Sequence, residues 1–158
     1  MKKYVFMSLF MALIATTATL VITSCNQQKD LTPPEISDEG FLPADCDIYY
    51  LGDTILVHFV CSDNVELGNY NIEIHNNFDH HTHGTSSVEC PMDAEKKPVN
   101  PWVYNQDFTI PSGQRTYTAR HDIAIPADID PGDYHFMVRL TDRAGWQQLH
   151  AVAIKITE

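Results

Sequence analysis

The chain has 158 residues, 44% of them hydrophobic and 20% charged, with a formal net charge of −11. That length carries one domain with a core of useful size. So acidic a chain repels nucleic-acid backbones, which excludes DNA and RNA as partners, and it favours cations and solubility.

The N-terminus begins with Lys2 and Lys3 and runs through Val5 to Val21, where Ser and Thr are the only polar members; Ile22-Thr23-Ser24-Cys25 follows. A basic start, an apolar stretch and small residues before a cut make a secretory leader. A membrane-spanning anchor is the alternative. The apolar run sits at the short limit for a span, and no stop-transfer cluster follows it. With cysteine directly after the small pair, residues 1–25 resemble a bacterial lipoprotein signal peptide. The resemblance implies cleavage before Cys25, acylation of that residue, and an exported protein held to the bacterial outer membrane by lipid. Several acyl chains give a stable anchor where one does not. The 158 residues less a 24-residue leader leave 134, and loss of two lysines takes the formal charge from −11 to −13.

Residues 25–40 read as the lipidated cysteine and a linker, stiffened by Pro33-Pro34. Residues 41–158 read as the folded domain. Thr54 to Cys61 alternates as a strand, with Ile55, Val57, Phe59 and Cys61 on one face. Ser62-Asp63-Asn64 is a turn cluster. From Asn69 to His75, Tyr70, Ile72 and Ile74 point one way and Asn71, Glu73 and His75 the other. The period then stops from Asn76 to Pro101, a length that marks a functional or unstructured segment.

Within that segment His75-Asn-Asn-Phe-Asp79-His80-His81-Thr-His83 places histidine at four of nine positions. No packing or capping rule asks for this, and imidazole is the commonest protein ligand for zinc and copper. His81 and His83, two apart in extended chain, point the same way. His75 adds a ligand fixed on a strand, with His135 or Asp79 as a fourth. Met137 would serve copper(I). Nitrogen-rich ligation argues against calcium at this place. Glu73 and Asp79 can hold the second ring nitrogens and fix the tautomers. His58, His121 and His150 read instead as strand residues.

Order returns near Trp102. Phe108 to Ile110 predicts a short strand, and Tyr117, Ala119, His121, Ile123 and Ile125 alternate as another. Tyr134, Phe136, Val138 and Leu140 face the core of the next strand, Asp142-Arg143-Ala144-Gly145 turns, and His150, Val152, Ile154 and Ile156 build the last. Strands at roughly ten-residue spacing with turns between them predict an all-β sandwich. Asp130, Gly132 and Tyr134 resemble the tyrosine corner of immunoglobulin-like domains. That resemblance implies an immunoglobulin-like β-sandwich of about seven strands with a long His-rich loop after the third. It makes the strand ending at His75 and the strand starting at Tyr134 antiparallel neighbours, so parity brings His75 beside His135 on the outer face.

With Cys25 lipidated, Cys46, Cys61 and Cys90 remain, and three thiols allow three single pairings. Cys61 ends an apolar strand; Cys46 and Cys90 lie in polar surroundings, which favours their pairing in an oxidising compartment. A thiolate serving as a soft metal ligand is the alternative.

Asp63 to Tyr70, and then Ile74 to Gly84, are similar to a family of Bacteroidetes lipoproteins of unknown function with an H-x-x-F-D-x-H-x-H segment, falling here on His75, Phe78, Asp79, His81 and His83. The similarity implies export and a site at these residues, and no activity. Three functions follow. The first is a membrane-anchored protein that binds zinc or copper, with an outer-membrane transport partner. The second is an adhesion module binding glycan or protein through Trp102 and Tyr104. The third is a metal-dependent hydrolase or redox enzyme, although no Gly-x-Ser-x-Gly or His-Glu-x-x-His motif accompanies the cluster.

Overall fold

A computed structural model describes residues 29–83 and 88–158. Eight strands follow one another: β1 (Glu35–Ile36), β2 (Asp47–Tyr50), β3 (Thr54–Ser62), β4 (Leu67–Asn76), β5 (Tyr104–Thr109), β6 (Thr116–Ala124), β7 (Gly132–Asp142) and β8 (Gln147–Thr157). They form a three-stranded sheet, β1-β3-β6, and a five-stranded sheet, β2-β8-β7-β4-β5. Only β2 and β8 run parallel; the other pairs are antiparallel.

The period-two pattern decides which faces meet. Ile55, Val57, Phe59 and Cys61 of β3 are buried against Tyr70, Ile72 and Ile74 of β4 and Tyr134, Phe136, Val138 and Leu140 of β7. Each such side chain removes roughly 1.5–3 kcal/mol of apolar surface from water. Phe59 and Tyr70 meet edge to face, with ring centroids 5.2 Å apart. Cys61 is a buried free thiol whose pKa burial raises to about 11, so it is inert as a nucleophile.

Two strands lack a periodic signal in the sequence. β1 falls inside the stretch that reads as linker, because two residues after a proline pair cannot show a period; Ile36 is nevertheless buried and pairs with Cys61. β2 alternates only between partly buried and exposed positions. It is held by its parallel pairing with β8 and by a disulfide from Cys46 to Cys90, which closes a sequence separation of 44. β5 is an edge strand of mostly polar residues, longer than the Phe108–Ile110 segment the pattern predicts.

At the start of β7 the Tyr134 hydroxyl donates to the Asp130 carbonyl at 2.6 Å and accepts the Trp102 amide at 3.2 Å. This is the bond back to upstream backbone expected of a tyrosine corner. It also fixes Trp102 as a buried cover on this end of the core, so that ring is not an exposed contact surface.

Candidate metal centre

β4 and β7 carry the centre. Their register sets His75 directly opposite His135, with Glu73 opposite Met137 one inward-outward repeat away. Paired β-carbons lie about 5 Å apart. The His75 and His135 rings accordingly meet with centroids at 5.7 Å.

The chain leaving β4 is turned back by two devices. Phe78 is buried, its ring edge against Tyr134 at 5.4 Å and the Lys96 ammonium 4.4 Å above its face. Gly132 makes room for it: its φ is +137°, and a Cβ there would come within 2.9 Å of the Phe78 ring. The His80 amide then closes a turn on the Asn77 carbonyl at 3.3 Å, with His80 itself in left-handed backbone at φ 57°. Histidine tolerates that region better than most residues. The turn sends His80 outward, where its Nε2–H donates to the Asp93 carbonyl at 3.0 Å, and sends His81 and His83 back over His75.

The result is a convergence of three imidazole nitrogens. The Nε2 atoms of His81 and of His83 each lie 3.1 Å from Nε2 of His75. Two nitrogens on one tetrahedral zinc ion, at 2.0–2.1 Å from the metal, stand about 3.3 Å apart. The group could hold a metal ion.

The far side of these rings determines what the near side offers. Asp79 Oδ1 lies 2.6 Å from His81 Nδ1. The carboxylate can only accept, so Nδ1 carries the proton and Nε2 presents a lone pair. Hydrogen bonding to His81 also holds the Asp79 carboxyl below its ordinary range. Glu73 Oε1 is 3.1 Å from His75 Nδ1, in ion-pair range but off the line of an aligned N–H bond. His75 Nδ1 has no hydrogen-bond partner in this geometry. The His81 lone pair at Nε2 then faces His75 Nε2 at 3.1 Å, a separation that an N–H···N bond or a shared cation can span. Carboxylate-held imidazoles are the usual support of a metal ligand.

His135 and Asp79, both expected as a fourth ligand, contribute no atom to the three-nitrogen group. His135 is buried and packs against all three rings, at 5.7, 5.0 and 4.6 Å between centroids. Its Nε2–H, however, donates to the His81 carbonyl at 3.0 Å, which props the loop. Burial, with the neighbouring imidazoles, takes its pKa down to about 4, and burial lowers that of His83 as well. Asp79 is spent on the His81 ring. Met137 is buried one pair along the strand, opposite Glu73.

Cys25 and the apolar run before it lie outside the described residues, and among the described residues no helix is long and apolar enough to cross a membrane. The other strand histidines have local partners: His58 Nδ1–H donates to Gly40 O at 2.8 Å, His121 Nε2 meets the Tyr70 hydroxyl at 2.6 Å, and His150 stacks on Phe41 at 3.9 Å.

A cavity of about 630 Å³ opens beside the centre, between His81, His83 and His135 on one side and Ile48, Met92 and Ala153 on the other. Its outer wall, the segment around Cys90, is tied down by the disulfide. The Asp93 amide also donates to the buried Asp133 carboxylate at 2.8 Å, and Lys155 pairs with Asp93 at 2.8 Å and Asp133 at 3.3 Å. The Cys46–Cys90 tie is the pairing the sequence favours; Asp93 and Asp133, forty apart in the chain, share no local pattern that would reveal the rest of this wall.

Residues 23–157 match the family described as a domain of unknown function, DUF4625. The chain belongs to that family. No curated protein matches it. Among solved structures it is similar to the sporulation control protein Spo0M of Bacillus subtilis, at 11% identity and a TM-score of 0.40, over 80% of this chain and 49% of the other. The chain thus spans about half the length of that protein. Within the His-rich segment of this chain the roles divide: His75, His81 and His83 converge, Phe78 anchors the turn, and Asp79 orients His81.

Proposed function

We propose that this DUF4625 protein is an exported, lipid-anchored module that binds a transition metal, zinc or copper, at His75, His81 and His83. The observation that carries the reading is the convergence of three imidazole Nε2 atoms, those of His81 and His83 each 3.1 Å from that of His75, with the Asp79 carboxylate on the far nitrogen of His81. Nitrogen donors suit zinc and copper(II). Anchoring at Cys25 to the bacterial outer membrane rests on the leader-like sequence, and the Cys46–Cys90 disulfide accords with an oxidising compartment. An outer-membrane transporter is the partner such a carrier would serve. We read the sandwich as immunoglobulin-like, on the strand order and the Tyr134 corner.

The test is metal content. Protein purified without a polyhistidine tag, stripped with chelator and reloaded, should hold one zinc or copper ion per chain, and the His81→Ala/His83→Ala variant should hold none. A wild type without stoichiometric metal, or a double variant that holds as much, overturns the reading.

The adjoining cavity favours a second reading, a metal-dependent hydrolase or redox enzyme. Three protein ligands leave a position open on the ion, where water can be activated. Turnover of simple esters, peroxide or superoxide by the loaded protein, lost in His83→Ala, would support it; a loaded protein inert to all three favours carriage or storage.

A further inference from the structure

The opposite end of the sandwich holds a second constellation. Asp142 ends β7, Asp63 follows β3, and Asp30 precedes β1; one carboxylate oxygen from each lies within 4.8 Å of the others. β4 runs from this end, at Leu67, to the histidines at its other end, so the two places stand about 26 Å apart at roughly 3.3 Å per residue.

Asp63 and Asp142 are 8% and 4% exposed. One oxygen of each has backbone partners. Asp63 Oδ1 accepts the Val65 and Glu66 amides at 2.8 and 2.6 Å, and Asp142 Oδ1 accepts the Trp146 amide at 2.8 Å. Their Oδ2 atoms are buried with no hydrogen-bond partner. Buried carboxylate oxygens are costly unless paired or bound to a metal. Among the described residues no lysine or arginine forms an ion pair with Asp30, Asp63 or Asp142; the nearby Arg143 is taken by Glu66 at 3.4 Å, and Arg115 by the Asn64 carbonyl. The third carboxylate is placed deliberately. Trp146 Nε1–H donates to the Asp30 carbonyl at 3.1 Å and Asn64 Nδ2 donates to Asp30 Oδ1 at 3.2 Å, which fastens the segment before β1 over the two buried acids.

We propose that Asp30, Asp63 and Asp142 form an oxygen-donor site for a divalent cation of calcium's class, separate from the histidine centre. Calcium takes six to eight oxygens at 2.3–2.6 Å, so ligands on opposite sides of one ion stand about 4.6–5.2 Å apart. Magnesium demands a near-regular octahedron at 2.0–2.1 Å and gives up its waters reluctantly, so fixed protein carboxylates suit it less. Hard carboxylate oxygens without nitrogen or sulfur disfavour zinc and copper here. The ion would complete the contact between the N-terminal segment and the sandwich, and thereby stiffen the chain between the domain and whatever precedes it.

The experiment uses the purified protein stripped with chelator. Adding calcium to about 5 mM should raise the melting temperature by several degrees and change the fluorescence of Trp146, with a Kd of about 10⁻⁴–10⁻³ M, the range of extracellular modules. Asp63→Asn/Asp142→Asn should weaken calcium binding at least tenfold while holding or raising the melting temperature without calcium, since it removes buried like charge. Asp30→Asn, which leaves the core untouched, should weaken binding by a similar factor and serves as the reading if the double variant does not fold. Zinc uptake by the histidine centre should be unchanged in all of them. The proposal is overturned if the wild type shows no calcium-dependent shift, if magnesium at equal concentration gives the same shift, or if the asparagine variants respond as the wild type does.

Discussion

Asp79→Asn isolates the step from fold to chemistry. The Asp79 carboxylate holds the far side of the His81 ring, 2.6 Å from Nδ1, and is itself 76% exposed. Asparagine keeps the size and can still accept the Nδ1–H bond through its carbonyl, but without charge. Removing a partner of this kind costs 10–100-fold in metal affinity. Exposure to solvent, together with the surviving neutral bond, puts Asp79→Asn at the lower end, about tenfold weaker for zinc; Asp79→Ala, with no acceptor, should approach a hundredfold. The melting temperature of the metal-free protein should not move, because the side chain packs against no core residue. Competition against a chromophoric chelator reads the affinity, and a thermal melt supplies the control. Zinc affinity of Asp79→Asn within twofold of wild type, in a protein that still needs His81, would refute the argument that this carboxylate sets the tautomer of the ring.

Three further outcomes follow from packing and titration. Phe78→Ala should cost about 3 kcal/mol in urea unfolding, the range for a buried aromatic, and should also weaken zinc binding, because Phe78 pins the turn that returns His81 and His83 to His75; unchanged zinc affinity would show that the loop is held by other contacts. Replacing Cys46 and Cys90 by serine opens a link across 44 residues; the chain-entropy relation predicts a loss of about 4 kcal/mol, read as a lower urea midpoint in the absence of reductant. Acid should destabilise the metal-free protein. His135 is held neutral by burial down to about pH 4, whereas the unfolded chain takes up that proton near 6.5. Its contribution is therefore intact above pH 6.5 and lost progressively between 6.5 and 4, to a bound of roughly 3 kcal/mol. His83, His121 and His150, also lowered by burial, act in the same direction. Melting temperatures from pH 7 to 4.5 should fall less steeply in His135→Gln, and an equal slope would remove His135 from the account.

Several features are legible in the chain alone because they are local. The period-two runs of Thr54–Cys61 and Asn69–His75 state which side chains are buried, since a strand has only two faces. The His-Thr-His spacing states that two rings share a side. Parity alone puts His75 and His135 on outward positions of their strands.

What needed the tertiary structure is everything set by pairing across the chain. The β4–β7 register decides that His75 faces His135. The left-handed turn at His80, held by a buried Phe78 over Gly132, returns His81 and His83 to His75 and leaves His135 with no atom in the three-nitrogen group. The sequence leaves Asp79 open between a fourth ligand and a partner of a second ring nitrogen, because spacing cannot say which nitrogen a carboxylate meets; the fold sets it behind His81. The Asp30, Asp63 and Asp142 carboxylates lie before β1, just after β3 and at the end of β7, each ordinary by itself, and become a group only where the sheets bring these strand ends together. Alternation is a short-range property of the backbone and survives in one dimension. Convergence of donors depends on strand order and turn direction, which are fixed by burying a shared core.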